Sequence, residues 1–424
     1  MSESQQAWSA ERRRAAYALN SKFRTIATTG TNGKTTTTSM VGAIIDASGR
    51  PATVLTTVGA RIGELDRPKP ATLAPQSAAH FLSVIEEALE RDATLLALEV
   101  TSLALARRAA ELWPPDVAVF TNLTRDHLDV HPSPEAYLAA KAQLFIHLKA
   151  GGTAVLNRDD PSSALIAEVL PHGVGCVDYS LVDAAATCAA ARIECRPGLT
   201  FVDLVPGPVA DALGGRLTLH STGRVHVANA LAAALATLAV GIPPEAVVRG
   251  LAAFRPVAGR FQLVEGGPPH VVVDYAHTPD GLENTLATGR ELLAAMSAER
   301  RGRLICVFGC GGGRDRGKRP LMGAIADRLA DVIMLTSDNP RHEDPASIAD
   351  ETKAGAVEPR AEWHVELDRA KAIATAIAIG KAGAEAGRED IVIIAGKGHE
   401  TDQIIGHERR PFSDVAEALR HLNA

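Results

Sequence analysis

The rhythm of hydrophobic and polar positions changes at residue 25. Before it, Ala, Arg and Glu dominate and neither Gly nor Pro interrupts, which predicts a polar helix over residues 1–24. From residue 25 onward, short β-rich runs alternate with segments of helical spacing. Strands are predicted at 25–28, 95–100, 117–123 and 153–157, with helices at 36–47, 76–91 and 134–148. Residues 196–222 break the alternation: 199–205 and 216–220 read as a β-hairpin-like insertion, followed by an Ala-rich helix over 227–240. The stretch Pro256-Val257-Ala258-Gly259 predicts a hinge. After it the alternation restarts, with strands at 270–274, 303–308, 331–336 and 390–395. Such alternation buries a sheet between helical layers, so the fold class is α/β, in two units of 25–256 and 257–424 behind the N-terminal helix.

Length and composition narrow the picture without naming a chemistry. A chain of 424 residues is too long for one ordinary core, in keeping with two units. Hydrophobic residues make up 46% and charged residues 22%, as in water-soluble globular proteins. The net charge of −6 offers no positive field for nucleic acid or an anionic membrane. No apolar run approaches the roughly 18 residues needed to span a bilayer. The polar start carries Arg12-Arg13-Arg14 rather than a signal-peptide core, so a cytoplasmic location is expected. Five scattered cysteines without a Cys-x-x-Cys pair argue against both a disulfide framework and a zinc site. The partners expected are therefore small molecules, bound by a monomer or weak oligomer.

Chemistry enters at Thr29-Gly30-Thr31-Asn32-Gly33-Lys34-Thr35-Thr36, between a predicted strand and a predicted helix. A phosphate-binding loop requires that setting: glycines let backbone N–H groups approach the anion, and the helix N-terminus adds partial positive charge. Lys34 can reach the β- and γ-phosphates, and Thr35 offers a hydroxyl to Mg²⁺. Thr28 stands where the generic motif has its first glycine. The 25–256 unit is thus expected to be P-loop NTPase-like with a mostly parallel sheet, and the 257–424 unit Rossmann-like. Nucleotide binding alone leaves kinase, GTPase-like switch and ligase open.

Eight segments in order along the chain resemble the Mur ligase family, nearest to its MurE-type muramyl tripeptide synthetases. They are the phosphate loop, Glu99-Val100-Thr101-Ser102, the stretch 121–129 around Asp126-His127, and Tyr137-Leu138-Ala139-Ala140-Lys141. Next come Asp274-Tyr275-Ala276-His277-Thr278-Pro279-Asp280, Gly309-Cys310-Gly311-Gly312-Gly313-Arg314-Asp315, Asp338-Asn339-Pro340-Arg341 and Gly396-Lys397-Gly398-His399-Glu400. The resemblance implies that ATP phosphorylates a carboxylate to an acyl phosphate, which an amine then attacks to give an amide, ADP and phosphate. It implies two Mg²⁺ sites drawn from Thr35, Glu99, His127 and a Lys141 carbamylated by CO₂, with Lys34 on the phosphates. Carbamylation needs a neutral amine, hence a lysine of lowered pKa. The resemblance also puts Asn229 at the adenine, with His226 where the family often has a second Asn, and His277, Asp280, Arg314 and Lys318 beside the nucleotide.

On the amine side, the resemblance implies a pocket of Asp338, Asn339, Arg341, Gly396 and Glu400 for diaminopimelate or a similar zwitterion. A guanidinium fork suits a carboxylate, and Glu400 suits an ammonium. On the acid side the pattern departs from the family. Only 29 residues precede Gly30, where a tripeptide synthetase carries a uridine-nucleotide-binding domain. The family's Thr-Thr-Pro-Glu reads Thr72-Leu73-Ala74-Pro75-Gln76, and its Ser-Ser-His reads Thr101-Ser102-Leu103, with Arg107 and Ala109 following. Thr101, Ser102 and Arg107 remain the candidate acyl contacts. These departures predict an amide ligase for a smaller carboxylate, the competing expectation being a muramyl tripeptide synthetase whose first domain is truncated or separately encoded. A non-catalytic scaffold would tolerate decay at Lys34, Glu99, His127 or Lys141, which are all intact; a kinase would need no amine pocket.

Overall fold

The computed structural model describes residues 8–126 and 130–423. Its larger sheet comprises β1 (Arg24–Thr29), β2 (Ala52–Leu55), β3 (Ala60–Ile62), β4 (Leu65–Arg67), β5 (Leu95–Glu99) and β6 (Val117–Phe120). It continues with β7 (Thr153–Asn157), β8 (Gly175–Ser180), β9 (Cys188–Arg196), β10 (Leu199–Leu204) and β11 (Arg216–Leu219). The strand order is β11-β10-β9-β8-β7-β6-β1-β5-β2-β3-β4. From β9 to β2 every pairing is parallel, and the strands at both edges are antiparallel.

Burial on both faces explains the composition of β1. Ile26 packs with the helices Lys34–Ala47, Arg224–Ala239 and Pro244–Ala253. Ala27 packs on the opposite side with the helices Ala10–Asn20, Ala78–Glu90 and Pro134–Ile146. A central parallel strand covered on both sides has no polar face to expose. Because β1 sits between β5 and β6, connections leave it toward opposite halves of the sheet, opening a crevice at the carboxyl ends of the strands. The register sets Thr28 beside Glu99 and Thr29 beside Phe120 there.

The second sheet comprises β12 (Gln262–Val264), β13 (His270–Asp274), β14 (Arg301–Phe308), β15 (Val332–Leu335), β16 (Glu362–Val365) and β17 (Glu389–Ala395). Its order is β12-β13-β17-β14-β15-β16, parallel except for β12. A hairpin of β18 (Asp402–Ile405) and β19 (Glu408–Pro411) follows. The loops bearing Gly309, Asp338 and Gly396 leave the carboxyl ends of β14, β15 and β17. Below them the buried Arg369 guanidinium pairs with both oxygens of Asp414, at 2.7 and 2.8 Å, and donates to the Ala395 carbonyl.

The α/β expectation holds, with one correction of detail. The β-hairpin-like insertion is the far edge of the large sheet, reached through β8 and β9. Its strands β10 and β11 pair antiparallel but are joined through the helix Pro208–Ala212. Among the described residues no helix is long and apolar enough to cross a membrane. Cys306 and Cys310 are buried free thiols.

The helix that follows the phosphate loop is fixed from behind by a close helix contact. A methyl group added at Gly250 would lie 2.4 Å from the Ile44 Cα and 2.9 Å from the Ala43 carbonyl oxygen, both backbone. Gly250→Ala should therefore cost about 1–3 kcal/mol, read as a lower urea midpoint at unchanged slope.

Candidate active site

Gly33 opens the helix Lys34–Ala47 with φ +83°, and a side chain there would meet the Asn229 amide oxygen at 2.4 Å. Both the turn and the close approach require glycine. The loop is held from the β6 side: the Thr31 N–H donates to the Asn122 carbonyl, and the Asn32 N–H to the Asn122 side-chain oxygen at 2.8 Å. Thr121 Oγ1 donates to the Asn32 carbonyl at 2.6 Å. Lys34 folds back so that Nζ donates to the Thr31 carbonyl at 2.7 Å, and burial lowers its pKa against the pull of Glu99 and Asp126.

Glu99, at the end of β5, is buried and receives hydroxyls. Thr35 Oγ1 donates to its Oε2 at 2.9 Å, while Thr57 donates from N and Oγ1 at 3.1 and 3.2 Å. Thr57 was not anticipated; the Thr56-Thr57 pair after β2 is its only trace in the sequence. Lys141 lies wholly inside, with Nζ donating to the Gly30 carbonyl at 2.6 Å and standing 4.2 Å over the Tyr137 ring. Burial first, and Lys34 second, push its pKa far below the ordinary lysine value. The remaining expected metal ligand, His127, lies outside the described residues. Thr31, Asn32, Gly33, Lys34, Thr35, Thr36, Glu99 and Thr101 line one crevice of about 340 Å³. Thr29 and Gly30 lead into it from β1.

Asn229 and His226 line the same crevice from the helix Arg224–Ala239. His226 packs edge-on to Phe261 at 6.5 Å, and its Nδ1 has no hydrogen-bond partner among the described residues. Burial takes its pKa from the usual 6.5 to about 4. The second sheet closes the other wall with Arg260, Tyr275 and His277. Arg260, not singled out in the sequence, lies 4.3 Å over the Tyr275 ring. Asp280 accepts from the Asn32 amide at 2.7 Å, and Lys318 donates to the His277 carbonyl at 2.7 Å. Arg314 is exposed on the loop after β14, and the adjacent Asp315 pairs with Arg125 at 3.1 Å.

A second group of predicted residues gathers at the ends of β15 and β17. Asn339 donates to Glu400 Oε2 at 2.9 Å, and the Asp338 carboxylate fills the space a side chain on Gly396 would need. Arg341 has φ +52°, held because its N–H donates to the Ile404 carbonyl and its own carbonyl accepts from Gly406. Its Nη1 donates to the Gly312 carbonyl at 2.7 Å. His399, beside Glu400, packs on Tyr275 at 5.0 Å, and Tyr275 packs on His277 at 4.5 Å. Three rings thus run from this group to the crevice. Of the acyl candidates, Thr101 lines the crevice and Ser102 meets His131 at 3.0 Å, but Arg107 is exposed and not among the lining residues.

Residues 28–237 match the family model described as the Mur ligase middle domain, and residues 259–398 that of the Mur ligase glutamate ligase domain. The chain is 42% identical over 419 residues to the UDP-N-acetylmuramoyl-L-alanyl-D-glutamate–2,6-diaminopimelate ligase of Synechococcus sp. (strain WH7803). That alignment covers 94% of this chain and 78% of the relative. The protein of the same name from Syntrophomonas wolfei is 39% identical, with the same coverage. A solved structure of a ligase of this name superposes with a TM-score of 0.64 at 33% identity, covering 97% of this chain and 82% of the other. The folylpolyglutamate synthase of Mycobacterium tuberculosis, at 20% identity, shares the fold with a TM-score of 0.69 over 97% and 94% of the two chains.

The depressed pKa of His226 has a measurable consequence. Below pH 6.5 the unfolded chain takes up a proton at this position that the folded chain refuses until about 4. Its contribution to stability is therefore present above pH 6.5 and lost as pH falls toward 4. Between pH 7.5 and pH 5, wild type should lose about 2 kcal/mol more stability than His226→Asn, measured by urea unfolding at each pH.

Proposed function

The chain belongs to the Mur ligase family of ATP-dependent, ADP-forming ligases, and from that premise we propose that it adds a diaminopimelate-like amino acid to the glutamate carboxylate of a UDP-linked muramyl dipeptide. The observation that carries this reading is the meeting of Lys34, Thr35 and Glu99 in one crevice, with Lys141 buried behind it on the Gly30 carbonyl and a group of both charge signs on the loops of the second sheet. We assign residues 25–256 to the ATP-binding unit, 257–424 to the unit that supplies the amine pocket, and 1–24 to an N-terminal segment in which the helix expected over 1–24 is seen, among the described residues, at Ala10–Asn20.

The acid named here replaces the smaller carboxylate expected from the departures at Thr72–Gln76 and Thr101–Leu103. Relatives aligned over 94% of the chain carry the standard acid in their names. The departures also have a packing role: Leu73 is buried, and its carbonyl accepts from the Trp8 indole at 3.3 Å. A change that serves packing gives no support to a new substrate.

In this mechanism the loop amides and Lys34 hold the nucleotide phosphates, while Asn229 and the neutral His226 flank the base. The Thr35 hydroxyl and Glu99 carboxylate form a buried pair of hard oxygen donors, which suits Mg²⁺, and His127 is the further ligand implied by family resemblance. Lys141, whose pKa burial lowers well below the ordinary lysine value, fits addition of CO₂ to give a carbamate donor. Bound there, magnesium would neutralise charge between the γ-phosphoryl group and the approaching carboxylate. Asp280, Lys318 and Arg314 bring the second unit onto the nucleotide. Once the acid is phosphorylated, Arg341 holds a carboxylate of the amino acid and Glu400 its distal ammonium. The free amine attacks the acyl carbon and phosphate leaves.

Phosphate release from ATP should require both UDP-linked muramyl dipeptide and diaminopimelate. Release with the acid alone would indicate a kinase, and release only with other carboxylates would return the smaller-acid reading. Lys141→Ala should be almost inactive yet partly recovered by a short carboxylic acid. A folded variant that no such acid restores would count against the carbamate.

A further inference from the structure

Lys397 has no solvent exposure, and the mechanism above makes no use of it. Its loop leaves the end of β17 between Gly396 and Gly398, and its ammonium points at the amine pocket. Nζ donates to Glu400 Oε2 at 2.8 Å and to Asn339 Oδ1 at 3.2 Å. Asn339 in turn accepts from the Ile404 N–H at 2.9 Å and donates from Nδ2 to the same Glu400 oxygen at 2.9 Å. The orientation of the Asn339 amide is therefore set by two donors on its oxygen side, one of them charged.

A buried ammonium without a counter-charge is costly, and so is a carboxylate that loses its donors. Both costs are avoided here by one closed triangle of Lys397, Asn339 and Glu400. The triangle also consumes Oε2 of Glu400 completely. Oε1 takes no hydrogen bond from another described residue, and the side chain is 30% exposed. We propose that Lys397 is a positioning residue of the amine pocket, locking Asn339 and Glu400 so that Oε1 alone faces the ammonium of the incoming amino acid. The proposal rests on Glu400 being the carboxylate of the amine side.

The side chain is separable from the turn that carries it. The turn is closed by the Glu400 N–H donating to the Lys397 carbonyl at 2.9 Å, a backbone bond that a substitution keeps. Lys397→Met should raise the KM for diaminopimelate by about tenfold or more, the loss typical of a charge-assisted pair, while the KM for ATP moves less than about twofold. In a Glu400→Gln background the same change should add less than about twofold, because its effect passes through Glu400. Lys397→Arg, which keeps the charge, should recover part of the loss.

Equal rises in both KM values, or full additivity with Glu400→Gln, would overturn the proposal. If Lys397→Met does not fold by circular dichroism, Lys397→Gln carries the same comparison; failure of both would make Lys397 a folding residue and also overturn it. A wild type without diaminopimelate-dependent phosphate release would instead sink the functional reading. A working wild type with an indistinguishable Lys397→Met would sink only this inference.

Discussion

The site depends on the register of β1 between β5 and β6. Parallel pairing brings Thr28 level with Glu99 and Thr29 level with Phe120, so three strands end together. The chain must leave that point through Gly30 and Gly33, both at positive φ, and start a helix at Lys34. A shift of one residue in β1 would turn Ile26 and Ala27 to the wrong faces of a sheet buried on both sides. It would also part Thr35 from Glu99. Packing on the two faces and geometry at the strand ends are therefore a single constraint, enforced mainly by hydrophobic burial.

That constraint sets the electrostatics. The Gly30 carbonyl points to the inner side of the loop and receives Lys141, while the Thr31 carbonyl receives Lys34. Lys34 lines the crevice and Lys141 is buried behind it, where repulsion by Lys34 adds to burial in pushing the Lys141 pKa down. Arg260 adds to the positive side at Lys34, with Glu99 and Asp126 opposing it. The fold thus lowers the pKa of both lysines without any special residue for the purpose. Burial does most of the work, because desolvation is the first cause in both cases.

How much of this was legible from the sequence differs between strands and loops. Strands β5, β13 and β17 announce themselves by the apolar runs 95–98, 271–273 and 391–395, and β1 by its β-branched Thr and Ile. Strand β9 does not: Cys-Ala-Ala-Ala-Arg-Ile-Glu-Cys-Arg has little β preference and becomes a strand through its neighbours β8 and β10. The phosphate loop and the Asp338–Arg341 segment were legible because glycine, proline and charge must stand in fixed places there. Thr57 and Arg260 were not, since an isolated threonine or cation carries no period; each acquires meaning only from a partner elsewhere in the chain, at Glu99 and Tyr275. Lys397 stood inside a recognised motif, but its part in the pocket shows only through its contact with Asn339. The acid side misled for a related reason: Leu73 looked like a lost polar contact, whereas in the fold it is a packed residue under Trp8.

The two halves of the molecule solve opposite problems with similar means. On the proposed function the crevice receives phosphates, and it gathers the cations Lys34 and Arg260, whose repulsion such a ligand would relieve. On the same proposal the amine pocket receives a zwitterion, and it balances its own charges first, through Lys397 on Glu400 and a strained Arg341 tied to the β18–β19 hairpin. Strain at Arg341 is maintained by backbone bonds on both sides of it, which makes the guanidinium a fixed fork rather than a searching side chain. A pocket ordered in advance loses less entropy when the amine binds. Between the halves stand three rings in tilted contact, His399, Tyr275 and His277, and two polar ties, Asn32 to Asp280 and Arg125 to Asp315. Those ties reach from the phosphate loop and the segment before His127 to the second sheet. In the proposed reaction these contacts would fix the amine pocket against the phosphate loop, so the placing of the amine would depend on the residues that hold the loop.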